Sequence, residues 1–344
     1  LDGCPAPEDV AELERMLSEP TPGVVESIGR GSGDIAILGV AGKMGPTLAM
    51  MARRAADKAG VRRKVIGVSR FSNPEERDKL DAVGIETIAG DLLDEEFVAC
   101  LPDAGDVVYM AGMKFGATGS ESLTWAMNTL LPAAVCKRYA RSRIAAFSTG
   151  NVYPFMPLDS AGSVEADLPD PRGEYAMSCL GRERTFEHYS QTAGTPVSIL
   201  RLNYACELRY GVLVDLAKKI IAGEPIDVST PAFNVIWQRD ANAMALASLD
   251  YAASPAFLLN LAGPEQLLVR PTCERLAARM NVEVTFTGEP ADNALLSNGA
   301  KSYALFGMPT VTAEQLIESV AAWVKAGGPT LGKPTKFEVR DGRF

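Results

Sequence analysis

DIAILGVAGKMG, residues 34–45, is the stretch whose reading decides the fold. Asp34 to Gly39 is a short apolar run with the length and aliphatic content of a buried strand. Met44 to Ala59, rich in Ala, Leu and Met, reads as a helix. Between them stand Gly39, Gly42 and Gly45. At a strand-to-helix turn the first glycine permits the tight bend, the second lets backbone N–H groups approach a diphosphate, and the third lets helix pack on strand. The position of the motif at the first such junction makes a dinucleotide the expected ligand, with Lys43 and Met44 in the same loop.

Outward from this unit the alternation continues. Strands are predicted over Lys64–Ser69, Ile85–Ile88, Val107–Met110, Ile144–Ser148 and Pro196–Leu202, and helices over Pro74–Val83, Ser122–Ala140 and Glu174–Ala193. Strand–helix alternation with short connections predicts an α/β chain with a Rossmann-like, doubly wound parallel sheet. After residue 203 the rhythm loosens. Helices over Gly211–Ala222, Asp240–Ala252, Thr272–Met280 and Ala313–Lys325, with strands Val235–Trp237, Phe257–Leu261 and Val282–Thr287, suggest a smaller C-terminal substrate-binding subdomain. The expected organisation is an N-terminal extension (1–32), a dinucleotide-binding domain (33–202, with 233–262 returning to it), a substrate subdomain (203–232 and 263–330) and a tail (331–344) running over the surface. The extension carries one amphipathic helix, Pro7–Leu17, stopped by Pro20–Gly23.

The 344 residues are 47% hydrophobic and 22% charged, enough for large cores. With 43 acidic against 34 basic side chains the net charge is −9, which argues against a nucleic-acid or anionic-membrane partner. No apolar run approaches the ~18 residues of a membrane span, and no secretory leader is evident. Six cysteines without a CxxC pair and a single histidine, His188, leave no ligand set for zinc or an iron–sulfur cluster and no His-based triad. No metal is expected, and the thiols suggest a reducing, cytoplasmic setting.

Cofactor choice is argued at the end of the second strand. An NAD site wants a carboxylate there for the ribose hydroxyls, whereas a 2′-phosphate wants cations. The strand ends Ser69-Arg70, with no acid before Glu75. Ser69, Arg70 and Lys43 together favour NADP, with NAD left open. Asp91 and Leu92, after the third strand, are candidates for the adenine edge.

Four further segments carry a resemblance. Met110-Ala-Gly-Met-Lys114 follows the fourth strand, Asn128 lies in the next helix, Phe147–Tyr153 ends the fifth strand, and Tyr175 opens a helix. With the glycine loop they resemble the extended short-chain dehydrogenase/reductases, the NAD(P)-dependent epimerase/dehydratase family, and its nucleotide-sugar members in particular. The resemblance implies that Tyr175 is the acid/base, that Thr149 orients the reacting oxygen and that Asn128 supports the proton relay. It further implies Ala111 and Gly112 against the cofactor, Asn151, Asn203 and Arg239 toward substrate, Asp240 as a helix cap or part of a charged pair, and a homodimer through helices 122–140 and 174–193. The family's YxxxK lysine is absent: the segment reads Tyr175-Ala-Met-Ser-Cys179. Lys114 or Arg182 is then the replacement cation. The function implied is an NAD(P)-dependent oxidoreductase or epimerase acting on a hydroxyl or keto group of a sugar-like small molecule. The alternative is a dinucleotide-binding protein with little catalysis. Only Arg270, Arg275, Arg279 and Lys301 lie in 263–310, so a free sugar or sugar acid is expected over a nucleotide sugar.

Overall fold

Ile35–Leu38 (β1) is fully buried, and its alternate residues serve opposite faces: Ile35 and Ile37 join one core, Ala36 and Leu38 another. That two-sided burial follows from its central place in the sheet. The structure, a computed structural model, describes residues 7–114 and 118–343. Six further strands pair in parallel with β1 or with one another: Val65–Ser69 (β2), Glu86–Ala89 (β3), Asp106–Tyr109 (β4), Arg143–Thr149 (β5), Val197–Leu202 (β6) and Phe257–Leu261 (β7). Their spatial order is β7-β6-β5-β4-β1-β2-β3. Ile35 is in register with Val65 on one side and Asp106 on the other. The order reverses at β1, so the crevice between the carboxyl ends of β1 and β4 is where a doubly wound sheet binds its ligand.

Helices cover both faces. On one lie Pro22–Arg30 (α2), Gly45–Lys58 (α3) and Gln238–Ala247 (α10); on the other Glu95–Ala99 (α5), Leu131–Arg138 (α7) and Gly173–Ala193 (α8). Pro74–Ala82 (α4) precedes the edge strand β3, and Glu121–Trp125 (α6) precedes α7. A third core gathers Val212–Ile221 (α9), Val269–Met280 (α11) and Ala313–Lys325 (α13). Ala300–Phe306 (α12) packs beside β7.

Several elements depart from the sequence reading. Residues 10–30 do not stand apart. Leu13 and Leu17 of Val10–Leu17 (α1) are buried in the third core, and Val24 and Ile28 of α2 are buried on the sheet. Pro22, read as part of a stop, instead opens α2 behind its cap Thr21, since a missing N–H costs nothing in a first turn. The helix predicted over Ser122–Ala140 is interrupted by a π-helical turn, Ala126–Leu130. Asp240 does not cap its helix, which starts at Gln238; it accepts instead from Thr310 N and Oγ1 at 2.7 and 2.8 Å. The tail does not simply skirt the surface: Thr335 and Phe337 are buried. The helices on which the sequence places a homodimer interface carry exposed Leu123, Leu130 and Met177. No helix among the described residues is long and apolar enough to cross a membrane.

Candidate active site and cofactor cleft

A cleft of about 960 Å³ opens at the carboxyl ends of β1, β2, β4 and β5. Gly39 turns the chain out of β1 at φ 88°, where an L side chain is disfavoured, and a Cβ there would lie 2.7 Å from Ala111 N. The ends of β1 and β4 can approach only because that side chain is missing. At Gly45 a Cβ would lie 2.7 Å from the Val40 carbonyl carbon and closer still to its oxygen, so α3 starts hard against the loop. The first residue of α3 is Gly45, and Met44 before it makes no side-chain cap. Glycine loop and helix start together present backbone dipole to the cleft, as a diphosphate requires. Gly42, Lys43 and Met44 line the same wall.

Ser69, the last residue of β2, and Arg70 after it line the cleft beside Phe71, whose φ is +48°. Arg70 is exposed and makes no hydrogen bond or ion pair among the described residues. Glu76, in the first turns of α4, also reaches this end. Asp91 and Leu92 line the cleft after β3, and Asp91 Oδ1 accepts from Leu93 N at 3.0 Å. Ala111 and Gly112 form the wall beyond β4.

Tyr175 and Thr149 together line the far end of the cleft, and the Thr149 hydroxyl acts to lower the pKa of the phenol. Thr149 Oγ1 also donates to Asn151 Oδ1 at 3.0 Å and accepts from Asn151 N at 3.2 Å. Burial drives the Tyr175 phenol well above the ordinary tyrosine range; Cys179 adds to this, while Arg182 and Thr149 oppose it. The Cys179 thiol is fully buried and likewise held neutral by its surroundings, although Arg182 pulls the other way. No cation therefore occupies the fourth residue after Tyr175. One lies a turn further on. Arg182 is buried, its Nη1 donates to Phe147 O at 2.9 Å, its Nη2 donates to Asn128 Oδ1, and no carboxylate pairs with it among the described residues.

Asn128 links these parts. Its Nδ2 donates to Ser178 Oγ at 2.9 Å and to Met113 O at 3.3 Å, and its Oδ1 accepts from Met113 N at 3.2 Å. The π turn of residues 126–130 holds this fully buried amide; such insertions often mark functional positions in helices. Lys114, the other candidate cation, lines the cleft with Nζ 5.7 Å from the centre of the Tyr175 ring. Its Nζ donates to Thr335 O at 3.2 Å, and burial lowers its pKa to about 8.

Asn151 and Asn203 line the same end of the cleft, and Asn203 Nδ2 donates to Asn234 Oδ1 at 2.6 Å. Arg239 does not join them. Its Nε donates to Glu19 O at 2.9 Å, an acceptor supplied by the turn between α1 and α2 that the sequence reading left unassigned. The cations of 263–310 are also engaged elsewhere: Arg275 with Glu314, Arg279 with Glu314 and Glu318, Lys301 with Leu258 O, and Arg270 against the Phe286 ring. What the sequence reading missed is the tail, because Gly332 to Lys336 line the cleft. Two lysines within four residues, Lys333 and Lys336, were the available signal. No cluster of metal-binding side chains occurs among the described residues.

The profile of the NAD dependent epimerase/dehydratase family matches residues 35–226. Nothing matches among curated protein sequences. Among solved structures, UDP-glucuronic acid 4-epimerase from Bacillus cereus, in complex with UDP-glucuronic acid and NAD, superposes with a TM-score of 0.70 at 18% identity, covering 85% of this chain and 99% of that one. UDP-glucose 4-epimerase from Thermotoga maritima gives 0.70 at 15% identity over 86% and 99%. dTDP-glucose 4,6-dehydratase from Bacillus anthracis, in complex with NAD, gives 0.71 at 16% over 86% and 97%.

Proposed function

The chain belongs to the NAD dependent epimerase/dehydratase family, and from that premise we propose that it is an NADP-dependent oxidoreductase or epimerase acting at a secondary hydroxyl or keto group of a sugar-like substrate. The observation that carries this reading is the presence of Tyr175 and Thr149 together at one end of a cleft whose other wall is the glycine loop. The residues fit a dinucleotide: Gly39, Gly42 and Gly45 leave the loop bare, α3 offers its amino end, and Asp91, Leu92, Ala111 and Gly112 complete the groove. Bound there, the nicotinamide supplies the site at which a hydride is accepted or returned.

Tyr175 is the proton carrier. Its phenol, held protonated by burial, is in the form that donates to an oxygen gaining negative charge. Thr149 donates a second hydrogen bond to the same oxygen and fixes it opposite the phenol. Arg182, through Asn128 and the Phe147 carbonyl, keeps a positive charge beneath Tyr175 and partly offsets the cost of forming phenolate. Such a site favours the reductive half of the chemistry. The neutral thiol at Cys179 is the one observation that favours the rival reading, a dinucleotide-binding protein that does not turn over.

NADP is supported by Ser69 and Arg70 at the end of β2, where no carboxylate stands. Glu76 reaches the same end of the cleft and would oppose a 2′-phosphate, so the case rests on the unpaired Arg70 guanidinium beside the groove. Calorimetric titration should give at least ~10-fold tighter binding of NADPH than NADH, since a charge-assisted hydrogen bond contributes about 1.5–3 kcal/mol. Arg70→Ala should collapse the difference. Equal affinities in the unaltered protein would discard NADP and leave NAD.

A further inference from the structure

The tail crosses the cleft under restraint at every few residues. Leu331 N donates to Arg209 O at 3.0 Å. Thr335 N and Oγ1 both donate to Asp215 Oδ2, at 2.7 and 2.6 Å, and Thr335 O accepts from Lys114. Phe337 is buried, its ring edge-on to Phe233 at 5.6 Å. Further on, Glu338 pairs with Lys219 at 3.1 Å and Arg340 Nη1 donates to Asn293 O at 3.0 Å. Between the two buried anchors Lys336 takes the left-handed conformation, φ 54°, which an L residue keeps only when its neighbours hold it. A surface tail would not need that arrangement.

Its effect is to gather charge. Lys43 of the glycine loop, Lys114 after β4, and Lys333 and Lys336 of the tail all line one cleft. Lys43, whose Nζ lies 3.6 Å from the centre of the Tyr210 ring, is lowered to about 7, first by burial and then by Lys114 and Lys333. Lys114 is lowered in part by Lys336. The carboxylate of Asp215 is nearby but is committed to Thr335. Like charges converge on a cleft at an electrostatic cost that an anionic ligand would reverse.

We propose that residues 332–336 are a further wall of the dinucleotide site, and that Lys333 and Lys336, facing Lys43 and Lys114, bind the diphosphate of the cofactor. This rests on the cofactor reading above. The glycine loop serves the diphosphate from one side, and the anchored tail flanks it from the other with two lysines.

The test is calorimetry on Lys333→Gln/Lys336→Gln, using NADPH and, as a probe without the diphosphate, adenosine 2′-monophosphate. Both side chains reach solvent, so the melting temperature without ligand should match that of the unaltered chain. NADPH should bind at least ~10-fold more weakly and with a shallower dependence on salt. Adenosine 2′-monophosphate should bind unchanged, and Lys333→Arg/Lys336→Arg should keep most of the NADPH affinity. NADPH affinity within twofold of the unaltered protein overturns the proposal. So does a variant altered only in the KM of the second substrate, which would put the lysines on that substrate. An unaltered chain that binds no NADPH overturns the function proposed above as well as this inference; equal binding by both proteins overturns the inference alone.

Discussion

Tyr175→Phe is expected to cut turnover by about 10²- to 10⁴-fold while leaving the NADPH affinity within about twofold. The substitution keeps the ring and removes one oxygen, that of the phenol lining the cleft beside Thr149. The ring, itself partly buried, packs against the buried Val152, Tyr153, Cys179 and Leu295, contacts that phenylalanine keeps, so the fold should tolerate the change. Its pH signature follows from the direction of the phenol's shift. A tyrosine raised above 10 stays protonated through neutrality, so the phenol itself should add no step to the reductive rate between about pH 6 and 9. Oxidation needs the phenolate and should rise with pH across that whole range without a plateau. Steady-state kinetics on both forms, in both directions, reads this. A Tyr175→Phe enzyme with unchanged kcat removes the phenol from the chemistry; a chain with cofactor affinity but no turnover in either form supports the binding-protein reading.

Gly45→Ala should lower NADPH affinity by at least ~100-fold. The added methyl would collide with the Val40 carbonyl, which is backbone and has no flexible end to swing aside. Relief requires α3 to back away from β1, and the loop amides at Gly42 to Met44 move with it. Overpacking of this kind costs about 1–3 kcal/mol of stability, which a thermal melt separates from loss of fold. The comparison is informative because the methyl adds no charge and touches no substrate. An alanine variant that melts lower but binds NADPH normally would show that the glycine spacing serves packing alone.

Local pattern carried the sheet. β1, β2, β4, β5 and β6 are runs rich in aliphatic residues between turn signals, β3 (ETIA) is a polar edge strand, and the switch point follows once the strands are parallel. Short connections and Gly39 at a positive φ are enough to place the cleft. What the sequence hid was set by distant partners. Thr335 is buried because Asp215, 120 positions earlier, accepts both its protons, and no periodicity in a Gly-, Pro- and Lys-rich tail announces that. Arg239 looked like a substrate contact, but the Glu19 carbonyl takes it. The π turn at Asn128 is equally silent: AMNTL is unremarkable helical sequence, and its extra residue makes sense only against Ser178 and Arg182. The missing lysine was visible, whereas the buried guanidinium one turn beyond it could be named but not oriented.

The central claim is that one continuous cleft holds a nicotinamide dinucleotide with its reactive end at Tyr175. Crystals grown with NADPH test it most directly. The account predicts density for the diphosphate against the amides of residues 42–45 and for the nicotinamide ring beside the Tyr175 and Thr149 hydroxyls. Density for the ring outside that pocket, or a cleft that holds only solvent at saturating NADPH, would contradict it.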